Sequence, residues 1–273
     1  MTDVTLESPD GEVTRARFAR AKATRLKRIA DAVRLEGFIS VDTLSQDLGV
    51  SRMTVHRDLD ELEKARVLRK VRGGASAERS TTFESDFQYR ANAALREKKA
   101  VAHAAAALAS DGDVVVIGDS STTSHVVPDL AALTNVTVVT NFLPVMESVA
   151  REARLELISL GGQFNPEHRA FVGLLCEQAL STLYADVLFA SSSALLGSDV
   201  YHQFEPIVKV KQAMIRSSRT RVLLLDHTKL GRGALHRVGP VSDFTHVVVD
   251  DQADPEQLAP VRDAGVEVIV APV

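Results

Sequence analysis

Cationic and hydroxyl side chains cluster in a short stretch near the N-terminus. Ser51, Arg52, Thr54, His56 and Arg57 lie within one stretch of seven residues, and a second group of cations follows at Arg69, Lys70 and Arg72. Arginine pairs with guanine edges or phosphate oxygens, and hydroxyl groups donate to phosphate. These residues therefore predict contact with a nucleic acid. The sequence leaves open whether Arg52 and Arg57 contact bases or phosphates.

A second group of polar residues follows short apolar runs in the rest of the chain. Hydroxyls and backbone N–H groups suit an anion, while carboxylates repel phosphate and suit sugar hydroxyls, with a lysine supplying positive charge. The residues predicted to bind such a ligand are Asp119, Ser120, Ser121, Thr122, Thr123, Asn141, Gly161, Gly162, Asp226 and Lys229. Ser191–Ser193 follow another such run. In any single loop, serine and threonine are ordinary capping residues, but five loops together favour a binding site.

Seven β-branched runs must position this second group. They are Val114–Ile117, Val136–Val139, Leu155–Leu160, Val187–Phe189, Val222–Leu225, Val247–Val249 and Val266–Val270. Helical patterns separate several of them, which predicts a mostly parallel α/β sheet with strands buried on both faces. Open α/β sheets bind ligands at the carboxyl ends of their strands, so we expect the polar segments to converge on one crevice.

The N-terminal cations are positioned by a predicted helix-turn-helix. Leu26, Ile29, Ala30 and Val33 form the apolar stripe of a first helix that ends near Gly37. A second helix is capped by Ser40 or Asp42 and buries Leu44 and Leu48; Gly49 makes the turn, and Ser51 caps a third helix.

The third helix buries Val55, Leu59 and Leu62, so Met53 and Arg57 point outward. Its later turns should display Asp58, Asp60, Glu61 and Glu63, which repel phosphate, so only its N-terminal end is expected to enter a DNA groove. The basic strand and glycine turn at 67–75 predict a wing.

Charge and composition set the domain organisation. Residues 13–75 carry a net charge of +7, whereas residues 76–273 carry −7. We predict a winged helix-turn-helix at 13–75, a linker at 76–89 and an α/β effector-binding and oligomerisation domain at 90–273, with Arg90–Ala109 as a connecting helix. With no Trp and 5% aromatic residues, duplex DNA is favoured over RNA or single strands. One cysteine, Cys176, and the lack of a long apolar run favour a cytoplasmic protein with no membrane partner.

An enzymatic alternative rests on the same carboxylates. Asp119, Glu205 or Asp226 would act as a general base beside Lys229 in a sugar-phosphate isomerase or transferase with a basic appendage. A buried carboxylate paired with Lys229 explains these residues equally well. The histidines are scattered at positions 125, 168, 202, 227, 236 and 246 without a two-histidine helical motif, so no metal and no cofactor is predicted.

The residues resemble the DeoR family of bacterial regulators of sugar metabolism. The resemblance lies in Ser51–Glu63 and Arg69–Ala75, and in Asp119–Thr123, Thr140-Asn141, Gly161-Gly162, Lys211–Ile215 and Asp226–Lys229. His56, Arg66 and Ser121 depart from the family pattern, as does the Ser191–Tyr201 segment, which lacks the usual glycine spacing. The resemblance implies a repressor that binds operator DNA as a homo-oligomer and responds to a phosphorylated sugar. It also implies a C-terminal fold similar to ribose-5-phosphate isomerase and coenzyme A transferases.

Overall fold

The computed structural model describes residues 21–33, 38–65, 67–71, 73–76, 90–91 and 93–273. The chain divides into two compact units, residues 1–83 and 84–273. The division falls inside the predicted linker at 76–89, of which only Ser76 belongs to the described residues. No described helix has both the length and the apolar character required to cross a bilayer.

The first unit is a winged helix-turn-helix. Its elements are α1 (21–33), β1 (Phe38–Ser40), α2 (Val41–Leu48), α3 (Arg52–Lys64), β2 (Arg69–Val71) and β3 (Gly74–Ser76). The strands form an antiparallel sheet in the order β1-β3-β2. A small core of Ile29, Leu44, Val55, Leu59 and neighbouring apolar side chains holds the three helices together.

Local capping explains where α2 and α3 begin. The Ser40 hydroxyl accepts a bond from the Thr43 N–H at 3.0 Å, and the Ser51 hydroxyl accepts one from the Thr54 N–H at 3.2 Å. Gly49 ends α2 with φ of 63°, a conformation in which a side chain is strained. The Ser51 cap and the Gly49 turn are as predicted, and Ser40 is the cap among the two predicted candidates, Ser40 and Asp42. The predicted helix end at Gly37 and the departure at Arg66 lie outside the described residues.

The second unit is built on a seven-stranded parallel sheet. Its strands are β4 (Val114–Ile117), β5 (Val136–Thr140), β6 (Leu155–Ser159), β9 (Ala185–Ala190), β12 (Ser218–Leu225), β14 (His246–Asp250) and β15 (Glu267–Ala271). They lie in the order β15-β14-β12-β9-β4-β5-β6. The helices are α4 (Leu95–Ala106), α5 (Val127–Leu130), α6 (Leu143–Val149), α7 (Leu174–Ser181), α8 (Glu205–Arg216) and α9 (Pro255–Asp263). Each strand overlaps one of the seven predicted runs: five runs lie wholly inside their strands, and the runs at Leu155–Leu160 and Val266–Val270 each extend one residue beyond theirs.

Two parts of this unit differ from the sequence prediction. The two edge strands are not fully buried: Ile158 of β6 is 43% exposed and Val270 of β15 is 47% exposed. Each has a neighbouring strand on one side only, so burial on both faces is wrong for these two strands. Additional antiparallel strands also form: β7 (Gln163–Asn165) pairs with β8 (Ala170–Val172), and β11 (Asp199–His202) pairs with both β10 (Ala194–Leu196) and β13 (His236–Pro240).

Candidate functional site

The first turns of α3 present a cationic outer face. Arg52, His56 and Arg57 are exposed and Met53 is 66% exposed, whereas Val55 on the opposite face is completely buried. This division follows the helical periodicity, because residues three and four positions apart share a face. The N-terminal end of α3 therefore offers two arginines, an imidazole and an apolar side chain to the solvent.

An ion pair removes one carboxylate from the exposed acidic surface of the later turns of α3. Asp58 is buried and accepts from Arg25 of α1 at 2.5 and 3.1 Å, so the expectation that α3 displays Asp58 is wrong. The hydrogen bond to Asp58 and the negative charges of Asp58 and Glu61 raise the pKa of the Arg25 guanidinium. The buried pair ties α1 to α3, because separating it would leave Asp58 without its hydrogen-bonding partner inside the unit. Glu61 and Glu63 are exposed, as expected.

The wing carries less freely available charge than the sequence suggests. Arg69 on β2 is exposed, but the Lys70 ammonium lies 2.5 Å from the Asp60 carboxylate, and the Lys70 N–H donates to Glu63. This pair joins the wing to α3, but it is partly exposed, and Lys70 stays a predicted DNA contact. Arg72 lies outside the described residues. Arg52 is also paired, at 2.5 Å from Asp42, but both side chains are well exposed and the pair exchanges readily.

In the second unit, polar segments meet in a narrow crevice at the carboxyl ends of the strands. Hydroxyl-bearing and cationic side chains dominate its lining, which consists of Arg90, Lys98, Asp119, Ser120, Ser121, Thr122, Ser191, Ser192, Ser193, His202 and Lys229. Its interior volume is about 20 Å³, sufficient for a water molecule. A larger ligand therefore requires side chains of the lining to move.

Lys98 of α4 joins two parts of this crevice. Its ammonium donates to the Ser121 hydroxyl at 3.2 Å and to the backbone carbonyl of Arg90. Burial lowers the pKa of Lys98 to about 8, and Asp226 partly opposes that effect. An anion placed beside Lys98 would favour its charged form.

Asp119 is buried against a lysine of α8. Its Oδ1 lies 3.0 Å from the Lys211 ammonium, and both side chains are almost completely inaccessible. Glu205 is exposed and paired with Lys209, which lowers the pKa of the Glu205 carboxyl. Glu205 does not line the crevice. Asp119 therefore has a structural partner, and Glu205 is exposed and absent from the crevice lining, where the postulated base would act.

Five predicted ligand-binding residues do not line the crevice: Thr123, Asn141, Gly161, Gly162 and Asp226. Two of them hold loops: the Thr123 hydroxyl donates to the Gly118 carbonyl at 2.6 Å, and the Asn141 amide donates to Phe171 at 2.9 Å. Asp226 is buried and accepts from the Thr228 N–H at 3.1 Å, capping the short helix that carries Lys229.

Gly162 shows a packing role directly. Its φ is 142°, and a Cβ atom there would lie 2.5 Å from the Val172 carbonyl oxygen. We expect Gly162→Ala to lower the free energy of unfolding of the second unit by about 2 kcal/mol or more, because neither the backbone nor the carbonyl can move cheaply. Urea denaturation measures the change. Gly161→Ala is the matched control, since its Cβ would meet nothing within 4 Å. Equal stability of the two variants would contradict the packing role.

Sequence reasoning missed several residues of this site. Arg90 and Lys98 lie in the segment that we predicted only as a connecting helix, and His168 and His202, which appear scattered in the sequence, are brought together with Asp119. No local motif marks them, because they meet only when the sheet assembles. Ser121, where the family pattern has glycine, does not adopt positive φ.

Comparisons with known proteins identify the class. A model of the DeoR-like helix-turn-helix domain matches residues 25–81, and a model of the DeoR C terminal sensor domain matches residues 93–251. The HTH-type transcriptional regulator YulB of Bacillus subtilis is 29% identical over 92% of this chain and 97% of its own. The lactose phosphotransferase system repressor of Staphylococcus aureus is 31% identical over 84% and 92%. Among solved structures, ribose 5-phosphate isomerase from Plasmodium falciparum covers 48% of this chain and 51% of its own, at 14% identity and a TM-score of 0.36.

The protein is thus a DNA-binding transcriptional regulator with a separate sensor domain, not an enzyme. It belongs to the DeoR family.

Proposed function

We propose that this regulator is a repressor whose affinity for operator DNA changes when a phosphorylated sugar or a related anion occupies the crevice. The observation that carries the proposal is the grouping of Arg90, Lys98 and Lys229 around the hydroxyl-rich loop Ser120–Thr122. The similarity to a repressor of a lactose phosphotransferase system supports both the repression and the connection with sugars.

On the DNA side, α3 enters the major groove by its N-terminal end. Arg57, His56 and Met53 are exposed there, and arginine pairs with guanine while apolar groups contact the thymine methyl. The exposed carboxylates of Glu61 and Glu63 keep the other end of the helix away from phosphates. Ser51, Thr54 and Arg69 contact the DNA backbone in this proposal.

On the effector side, Lys98 connects the binding of an anion in the crevice to the segment of chain that leads to the DNA-binding unit. Its ammonium holds the Arg90 carbonyl, and Arg90 directly follows residues 84–89 in the sequence. An anion in the crevice attracts the Lys98 ammonium and so competes with the Arg90 carbonyl for it. Binding of the anion would therefore weaken the hydrogen bond that fixes the backbone at Arg90. The effector must bind one arrangement better than the other, because equal affinity would shift no population.

Fluorescence anisotropy of labelled promoter DNA tests the proposed function. We expect binding of the promoter adjoining the regulator's own gene to weaken steeply with added salt, because arginine contacts displace counterions from phosphates. A panel of phosphorylated sugars should contain a compound that changes this affinity and raises the melting temperature. Salt-independent binding, or no response to any member of the panel, would contradict the proposal.

The pH dependence of effector binding should report Lys98. Its pKa is lowered to about 8, so the ammonium is charged below pH 8 and neutral above it. A phosphate monoester remains a dianion throughout this range. We expect its affinity to fall by up to about tenfold for each pH unit above 8, since binding must then take up a proton. Isothermal titration calorimetry at pH 7 to 9.5 measures this. In Lys98→Met the pH dependence should disappear; an unchanged profile would assign it to another group.

We propose that the protein acts as a homo-oligomer through an apolar surface on the second unit. Leu174 and Leu175 at the start of α7 are 68% and 69% exposed, and Leu174 borders a groove of about 650 Å³ with Phe164 and Phe204. We expect Leu174→Glu to reduce the mass measured by analytical ultracentrifugation to that of the monomer. Leu235→Glu is the control, because Leu235 is equally exposed at 69% but does not line the groove. If Leu174→Glu and Leu235→Glu have the same mass in solution, the surface around Leu174 is excluded as the oligomer interface.

A further inference from the structure

Three buried side chains of different chain segments meet beside the crevice. Asp119 follows β4, His168 lies between β7 and β8, and His202 ends β11. Their exposed fractions are 2%, 2% and 4%, and each offers an oxygen or nitrogen atom within 4.8 Å of the other two. Asp119 and His202 line the crevice. We call these three residues the inner cluster.

Two atoms of the inner cluster lack a hydrogen-bond partner in the described part of the chain. They are Asp119 Oδ2 and His168 Nδ1, and both are inaccessible to solvent. Asp119 Oδ1 is satisfied by Lys211, so the unpartnered atom is the second oxygen of the same carboxylate. The His168 ring stacks on Phe204 with centroids 5.1 Å apart, which fixes its orientation. Buried polar atoms of this kind are normally paired, so the inner cluster points to a bound polar group.

The protonation of the two rings determines which group fits. Burial lowers the pKa of His168 to about 4 and holds that of His202 well below its usual value, so both are neutral at pH 7. The Phe204 N–H donates to His202 Nδ1 at 3.1 Å, which places the proton of the neutral His202 ring on Nε2. That nitrogen is a donor and has no lone pair with which to ligate a metal.

Charge also disfavours a metal ion. Lys211 lies against Asp119, and both Lys211 and Arg90 lower the pKa values of His168 and His202, which shows that their positive charge reaches the cluster. A divalent cation would meet the same repulsion. A phosphate group is excluded in turn by the unpaired oxygen of Asp119.

A hydroxyl group satisfies every member of the cluster. It has one proton to donate to Asp119 Oδ2 and two lone pairs to accept from His202 Nε2–H and from His168 as its Nδ1–H tautomer. Each of the three residues has an oxygen or nitrogen atom within 4.8 Å of such an atom of the other two, so one oxygen placed between those atoms lies within about 2.8 Å of each, an ordinary hydrogen-bond length.

We propose that Asp119, His168 and His202 bind a hydroxyl group of the effector, and that His202 selects hydroxylated phosphate esters over those without a hydroxyl. This inference rests on the proposed anion site. Asp119 and Ser121 are two residues apart, so at most about 7 Å separates their backbones. The effector class is therefore a small polyol or sugar phosphate whose hydroxyl lies a few bonds from phosphorus.

Isothermal titration calorimetry of the full chain with two matched probes tests this selection. sn-Glycerol 3-phosphate and n-propyl phosphate share a three-carbon chain and a phosphate, and only the first carries hydroxyls. We expect the wild type to bind glycerol phosphate about tenfold more tightly, since the buried His202 Nε2–H donates to a hydroxyl of that ligand and is left without an acceptor by n-propyl phosphate. The His202→Phe variant should bind sn-glycerol 3-phosphate and n-propyl phosphate with affinities that agree within about twofold. Its affinity for n-propyl phosphate should equal that of the wild type.

Two further variants keep the test decisive. His202→Gln retains an N–H donor and should keep part of the preference even if the phenylalanine variant folds poorly. His103→Phe makes the same chemical change at a side chain that is 80% exposed on α4 and does not line the crevice, and should leave the preference intact.

The experiment distinguishes a failure of the proposed hydroxyl site from a failure of the proposed anion site. Equal binding of both probes by the wild type would overturn the hydroxyl site while leaving the anion site standing. Absence of binding by inorganic phosphate and by both esters would overturn the anion site and, with it, this inference. Stoichiometric binding of Zn²⁺ by the wild type, lost in His202→Phe, would show that the cluster is a cation site instead.

Discussion

Arg57→Ala is expected to weaken operator binding by about 1–3 kcal/mol and to relax specificity at one base pair. Arg57 is exposed on the outer face of α3, one turn from the helix start. Its planar guanidinium pairs with two acceptors of one guanine, which alanine cannot replace. Anisotropy titrations against the operator and a set of singly substituted operators measure both effects.

Lys27→Ala is the matched control for Arg57. Lys27 is an exposed cation of α1, so its removal changes the net charge of the DNA-binding unit by the same amount. If net charge alone governs affinity, the two variants will weaken binding equally and across all sequences. That result would reassign Arg57 from base recognition to general attraction of the DNA backbone.

Lys229→Ala is expected to abolish the response to the effector while leaving operator affinity in its absence nearly unchanged. Lys229 lines the crevice together with Lys98, and each cation contributes to the attraction of an anionic ligand. Removing Lys229 takes away one of the charges that the anion neutralises. Operator anisotropy with and without the effector found in the panel measures the response.

Arg262→Ala is the control for Lys229. Arg262 is an exposed cation of α9 in the same unit and lines neither the crevice nor the groove beside Leu174. We expect this variant to keep the full response to the effector. Loss of operator affinity and effector response together in Lys229→Ala would show that Lys229 supports the structure of the protein.

The fold was predictable because local signals and tertiary structure agree. The Ser40 and Ser51 caps, the turn at Gly49 and the apolar stripe through Ile29 and Val33 are each readable within a few residues. The apolar strand runs become the seven sheet strands for the same reason: a parallel sheet covered by helices requires them. The antiparallel strands around β7, β8, β10, β11 and β13 are short and lack such a pattern.

The site was only partly predictable, because its contacts join distant positions. The loop at Asp119–Thr122 and Lys229 were identified, since each directly follows a strand. Lys98 was not, because its surroundings in the sequence indicate only an alanine-rich helix. The sequence also could not show that Asp58 is buried against Arg25, which lies 33 residues away, or that Lys70 pairs with Asp60.

We expect the N-terminal end of α3 to lie in the major groove of bound operator DNA. A Met53→Cys variant carrying an iron chelate on the new thiol tests it by local cleavage of the operator. The one native cysteine, Cys176, is buried and its thiol pKa is raised to about 12, so it should remain unlabelled.

We expect cuts on both strands centred on each half-site, at positions facing the major groove. A Gln178→Cys variant, labelled at an exposed position of α7, should not give this pattern. Absence of cleavage from position 53 under conditions where the operator is bound, or the same pattern from both positions, would contradict the placement of α3 in the major groove.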